Sequence, residues 1–259
     1  MSQQAMPQRD PGAPGSGAAS LGKPLGAGHS VHGVALLLPA GHAAGTRRPS
    51  ALTLAAQRPL ARRLARAGAA EGLVTHVVRY RRRGWNDAAA DPVRDAEWAA
   101  DESVRRYGDV PVCLVGTGMG GRAALRAAGH PAVTSVLALA PWLPERDAHL
   151  TPDPVRQLTG RRVLLVHGTN DEHTDPDLSF RLAERAKKVN RDVCRFEVHS
   201  DGHALHQHRS EVRALTVDFV LGSLFGRHYA RPVADALAAP PPLGLRMPLA
   251  SGFGSSLGY

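Results

Sequence analysis

An aspartate and a histidine, Asp171 and His203, each follow a short apolar run, and a carboxylate beside an imidazole is a pair that can move protons. Val166-His167-Gly168-Thr169-Asn170-Asp171 closes one such run with a carboxylate, and Asp201-Gly202-His203 follows the next. A carboxylate in that place holds an imidazole in one tautomer and stabilises the imidazolium, while the histidine moves protons near neutral pH. Such a base ordinarily serves a nucleophile. Upstream of the pair, the stretch from Val112 to Leu125 runs from an apolar segment through a glycine turn into an alanine-rich helix. Gly118, at the centre of that turn, has no oxygen or sulfur with which to attack.

Two other chemistries compete for these residues. Gly116-x-Gly118-x-x-Gly121 is a literal dinucleotide fingerprint, in which glycines let the backbone approach a pyrophosphate. A dinucleotide site also wants an acidic residue near the end of the following strand, and the next apolar run ends in Pro141-Trp142 instead. The fingerprint further sits in mid-chain, behind two strand units, which makes an oxidoreductase the second alternative. His199, His203, His206 and His208 form a cluster with no cysteine partner and no H-E-x-x-H arrangement, and their intervals do not put three ligands on one helix face. Neither a metal nor another cofactor is expected.

The elements that position these residues alternate in type. Strand-like runs are expected at 32–39, 73–79, 110–115, 135–140, 163–167 and 194–199, and helical patterns at 50–69, 91–107, 122–128, 176–189 and 210–224. Alternation of this length implies an α/β fold, with a mainly parallel central sheet and helices on both faces. Residues 1–30 and 227–259 are rich in Gly and Pro and poor in periodic apolar residues, so both are expected to be flexible tails around one domain over 31–226. The 141–160 segment is short and carries four prolines, too little for a large lid.

From about Val31 to Phe225 the chain resembles the α/β-hydrolase family, especially its small cap-less esterase-like and dienelactone-hydrolase-like members. Gly116-Thr117-Gly118-Met119-Gly120 matches the G-x-S-x-G nucleophile elbow except at its centre, where glycine replaces serine. Leu38-Pro39-Ala40-Gly41-His42 stands where that family places its oxyanion turn, and Tyr80-Arg81-Arg82-Arg83-Gly84-Trp85-Asn86 is similar to the turn after its next strand. The resemblance implies Asp171 and His203 as the acid and base, with the backbone N–H groups of Gly41 and Met119 as oxyanion donors. It further implies a weak or specialised hydrolase of small esters or lactones that works through a bound water. The alternative it leaves is a non-catalytic pseudo-hydrolase that binds a small ligand or a protein partner. Glycine at the elbow also marks the N-myc downstream-regulated proteins, a family considered non-enzymatic.

Composition bounds the partners. The chain has 259 residues, 43% of them hydrophobic, enough for a sizeable core. Its net charge of +9 comes from arginines placed in separate short groups, with no helix carrying a basic stripe interleaved with aromatics. A small-molecule ligand is therefore expected, and nucleic acid is not. The first 30 residues lack the apolar core of a secretory signal, and no run is long enough to span a bilayer, which points to a cytoplasmic location without membrane attachment. Cys113 and Cys194 fall on strands that are not expected to be neighbours, so no disulfide is expected between them.

Overall fold

Strands such as Gly33–Leu38 and Val112–Thr117 are apolar at nearly every position because both of their faces are covered. The computed structural model describes residues 17–28, 30–145 and 152–255. In chain order the elements are β1 (Ser20–Leu21), β2 (Leu25–Gly26), β3 (Gly33–Leu38), α1 (Ala51–Ala67), β4 (Leu73–Arg79), α2 (Asp91–Tyr107), β5 (Val112–Thr117) and α3 (Met119–Ala127). There follow β6 (Val133–Leu139), β7 (Arg162–Gly168), α4 (Pro176–Val189), β8 (Val193–Val198), α5 (Arg209–Phe225), α6 (Arg231–Ala238) and β9 (Met247–Pro248).

The strands form one sheet in the order β1-β4-β3-β5-β6-β7-β8-β9, with β2 also pairing β4. All pairings are parallel except those of β1 and β2 with β4. Alternation along each strand divides the core in two. Val34, Leu36, Leu114, Val136 and Leu165 pack on one face under α2, α3 and α4. Ala35, Leu37, Val115, Leu137 and Leu164 pack on the other under α1, α5 and α6. Cys113 in β5 and Cys194 in β8 are buried and unpaired, and burial pushes both thiols up to about 12.

Both expected tails need correction. Residues 20–26, placed in the N-terminal tail, pair with β4: Ser20 and Leu21 oppose Arg79 and Val78, and the Gly22 N–H donates to Val77 O at 2.9 Å. Residues after 226 form α6, whose Val233 and Ala236 are fully buried, and β9, which adds a strand beside Phe196 and Glu197 of β8. Isolated apolar residues anchor these segments, Leu21 and Leu245 in one core and Val233, Ala236 and Leu249 in the other, without a periodic pattern, and polar ties add to them. Lys187 Nζ, almost wholly buried at the end of α4, donates to Val193 O at 2.7 Å and to Ala236 O and Leu237 O at 3.3 Å, tying α6 to the start of β8. Residues 146–151 of the 141–160 segment lie outside the described residues, as do 1–16 and 256–259.

Candidate active site

The turn from β5 to α3 is sharp enough to set its central residue at φ 55°, ψ −119°. The Gly118 N–H donates to Leu139 O, and the Gly118 carbonyl accepts from Gly121, Arg122 and Trp142 N–H groups at 2.9, 3.2 and 2.9 Å. A Cβ at 116 would overlap the Gly120 carbonyl, and one at 120 would overlap the Leu38 carbonyl, so the flanking glycines are demanded by backbone approach. Position 118 is different. A Cβ there would lie 3.5 Å from His203 Nε2 and 3.6 Å from Ala40 Cβ, both ordinary contacts. Space does not dictate glycine at the centre of the elbow.

Opposite that position stands the pair read from the sequence. Asp171 lies just beyond β7, its carboxylate wholly buried, and Oδ2 accepts from His203 Nδ1 at 2.8 Å and from His167 Nε2 at 3.0 Å. Oδ1 accepts from the His173 and Thr174 N–H groups at 2.8 and 3.1 Å. Burial alone would raise the carboxyl's pKa, but these four donors outweigh it and hold it well below the usual carboxylate range. An ionised carboxylate only accepts, so His203 Nδ1 carries hydrogen and Nε2 is left as the basic nitrogen facing Gly118. The exposed His173 ring lies beside that of His203, with centroids 5.2 Å apart.

His167 was not anticipated. It is fully buried in β7, where burial lowers its pKa, and so it is neutral, donating from Nε2 to Asp171 while Nδ1 faces Ser179 Oγ at 2.9 Å. Arg195 Nε also donates to Ser179 Oγ at 2.9 Å. A histidine inside an apolar strand reads as core, and its only sequence signal was standing four residues before Asp171.

The expected oxyanion residues are also brought together. Gly41 packs against the end of the Met119 side chain, and Met119 is the first residue of α3, where a helix leaves its N–H without an internal acceptor. Loop 42–47 is zipped to loop 83–86 by His42 N–H to Arg83 O and Trp85 N–H to His42 O, both 2.9 Å, which holds the Gly41 turn against the elbow. The remaining histidines of the cluster are not gathered, and among the described residues no group of three metal-ligating side chains occurs. The dinucleotide reading gains no acid at the end of β6, and Pro141 packs on Gly121 of the fingerprint.

Two cavities share Trp142, whose N–H donates to the Gly118 carbonyl, as a lining residue. The larger, about 600 Å³, is lined by Trp85, Arg122, Arg126, Trp142, Asp87 and neighbouring small residues and prolines. The smaller, about 340 Å³, is lined by Trp142, Glu145, Asp171, His173, Thr174 and Asp175 among others. Among the described residues no helix is long and apolar enough to cross a membrane.

No family model and no curated protein matches the sequence. Solved structures do match. The chain is similar to a monoacylglycerol lipase from Paleococcus ferrophilus (TM-score 0.57, 17% identity, covering 79% of this chain and 99% of that one). It is also similar to a putative α/β hydrolase from Agrobacterium tumefaciens (TM-score 0.59, 15% identity, 81% and 92%) and to Est1E of Butyrivibrio proteoclasticus, solved with ferulic acid bound (0.57, 13%, 79% and 94%). The fold is the α/β-hydrolase fold.

Proposed function

We propose that this protein is a member of the α/β-hydrolase family that hydrolyses small esters or lactones without an acyl-enzyme, using water activated by His203. The observation that carries the reading is the basic nitrogen of His203, held by a buried carboxylate and aimed at the elbow residue, which has no side chain. A water between Nε2 and the elbow gives its proton to His203 as its oxygen bonds to the ester carbonyl carbon. The oxyanion is received by the Gly41 and Met119 N–H groups. Collapse breaks the carbon–oxygen bond to the leaving group, which takes the proton back from His203, and Asp171 stays ionised throughout. Oxyanion stabilisation and binding alone retain about 10³ to 10⁴ over water in triad enzymes stripped of their catalytic residues, so slow turnover of activated esters is the expected scale.

A second reading is favoured by Gly118 itself: a binding protein that keeps the cleft and has lost the chemistry. Hydrolysis of a short activated ester separates the two. Turnover by wild type and its loss in His203→Ala support the water mechanism. Equal inertness of both, with activity gained by Gly118→Ser, would sink it in favour of binding.

A further inference from the structure

Two imidazoles share one carboxylate oxygen, and the structure makes them unequal. Asp171 Oδ2 accepts from His203 Nδ1 and from His167 Nε2, yet a carboxylate that stabilises an imidazolium on one ring must not be drawn off by the other. His203 leaves 30% of its side chain accessible and turns its second nitrogen towards the elbow. His167 is wholly enclosed, and its second nitrogen turns the other way, in among β7, α4 and β8.

Two further side chains meet it there. Ser179 on α4 and Arg195 on β8 are as deeply buried as His167, at 0% and 1% exposure. Ser179 Oγ lies 2.9 Å from His167 Nδ1, 2.9 Å from Arg195 Nε and 2.8 Å from Pro176 O. Arg195 Nη2 donates to Pro176 O at 3.1 Å, and Nη1 donates to Leu245 O at 3.1 Å and to Glu197 Oε1 at 2.7 Å. A guanidinium so far from water is costlier than an apolar side chain of its size unless the site uses its donors or its charge.

The hydrogens are placed from the two ends of this path. A guanidinium only donates and an ionised carboxylate only accepts, so His167 gives its Nε2 hydrogen to Asp171 and Ser179 Oγ receives the Nε hydrogen of Arg195. The hydroxyl hydrogen of Ser179 has two acceptors in reach. Pro176 O already receives Arg195 Nη2, whereas among the described residues Nδ1 of His167 has no donor besides Ser179. A bare lone pair in that interior costs about 1–3 kcal/mol, which directs the hydroxyl to Nδ1. Hydrogen bonds then run one way, from Arg195 through Ser179 and His167 into Asp171. A second proton on His167 would have to reverse the hydroxyl and face the Arg195 charge across it. Burial lowers the pKa of His167 and outweighs the pull of Asp171, and the Arg195 charge acts in the same direction as burial. The other charges around the path are engaged: Arg246 meets Glu197 at 3.3 Å and Asp177 at 3.4 Å, and His173 stands beside His203.

We infer that Ser179 and Arg195 are positioning residues of the Asp171–His203 pair: they hold His167 as a neutral ring with its one hydrogen on Nε2, so that Asp171 keeps its negative charge for the imidazolium that forms on His203. Leu245 O, just before β9, is one of the acceptors that fix Arg195, so the C-terminal segment reaches the site by this path. That the imidazolium serves hydrolysis rests on the function proposed above; the placement of the hydrogens does not.

Imidazole nitrogen NMR of the full-length protein tests that placement without turnover. Between about pH 5.5 and about pH 8 the wild type is expected to show His167 as the neutral Nε2–H tautomer with a hydrogen-bonded Nδ1. Ser179→Ala strips the hydrogen bond from Nδ1, whose resonance moves to that of a lone pair without a donor. Arg195→Met removes the charge and frees Pro176 O to take the hydroxyl, so His167 gains its second proton within that pH range. A wild-type His167 that is doubly protonated at neutral pH, or that carries its hydrogen on Nδ1, would overturn the inference without any variant. An Nδ1 resonance unmoved in Ser179→Ala, or a His167 that stays neutral in a folded Arg195→Met, would do the same. The same preparations are assayed with a short activated ester. Arg195→Met is expected to lose about tenfold in kcat/KM at about pH 6 and less at about pH 8, because His167 draws on the carboxylate only where it is protonated. A merely structural loss is equal at both pH values and would count against the inference. An inert wild type with the expected tautomers removes the hydrolytic reading and leaves the placement standing. Turnover that needs His203, with His167 neutral in Arg195→Met, removes the positioning role and leaves the hydrolytic reading standing.

Discussion

The three glycines of the elbow are glycine for different reasons, and substitution separates them. Gly116 and Gly120 have carbonyls where a Cβ would go, so Gly120→Ala is expected to lose more than about 3 kcal/mol in urea denaturation, since backbone cannot retreat as a side-chain tip can. Gly118→Ser meets no such wall and is penalised only by φ 55°, about 1 kcal/mol. Its hydroxyl would stand beside His203 Nε2, and a fluorophosphonate should label Gly118→Ser on that serine while leaving the wild type untouched at 118. A folded Gly118→Ser that resists the reagent would mean that His203 does not serve that position. Asp171→Asn removes the acceptor that fixes both imidazoles, and any hydrolysis by the wild type should fall by at least about a hundredfold with the fold retained. Asp171 and His203 could be singled out because each is a polar residue just after an apolar run, and Gly118 because it stands at the centre of a glycine turn. Arg122 and His167 were not. An arginine after a glycine turn reads as solvated, and only the fold shows that two indoles and Asp153 enclose it.

At the scale of elements, the interior strands were legible because burial on both faces writes an uninterrupted apolar run, as in β5 and β7. The edge elements left no such mark. β1, β2 and β9 are each two residues long, and their place in the sheet is set by the partner strand's free N–H and C=O groups, which no local pattern records. One of the links that make the C-terminal segment part of the domain is Lys187. Replacing it with methionine leaves the carbonyls of Val193, Ala236 and Leu237 without their charged donor, an expected cost of about 2 kcal/mol. The loss should be local, with hydrogen exchange rising in α6 and β9 and remaining at wild-type rates in β3 and β5. Uniform acceleration across the sheet would show instead that α6 is integral to global stability.

The whole molecule should record its buried histidines in its acid stability. His76, on β4, is fully buried between Gly22 O and the Tyr107 hydroxyl, at 2.8 and 2.7 Å, and His167 is buried behind Asp171. Burial lowers both pKa values from 6.5, so the native protein keeps both rings neutral where the unfolded chain already binds protons. Stability is therefore level above about pH 6.5 and declines as the pH falls below it, by up to about 1.4 kcal/mol per pH unit for each histidine. Carboxylates enter lower. Asp171, held well below its usual range, contributes stability that is present above about pH 4 and lost as the pH falls further, whereas Asp95 and Asp218, raised chiefly by burial, act in the opposite sense and above that pH, adding stability as the pH falls through their raised values towards about 4. Between about pH 5 and 6.5 thermal denaturation should show a slope to which the two histidines contribute and that His76→Gln with His167→Gln flattens. Parallel curves for wild type and the double variant would assign the acid sensitivity to other groups. One of these rings packs beneath the N-terminal strand and the other beneath the candidate active site, so a single titration reads how far the sheet binds its edge and its chemistry into one cooperative unit.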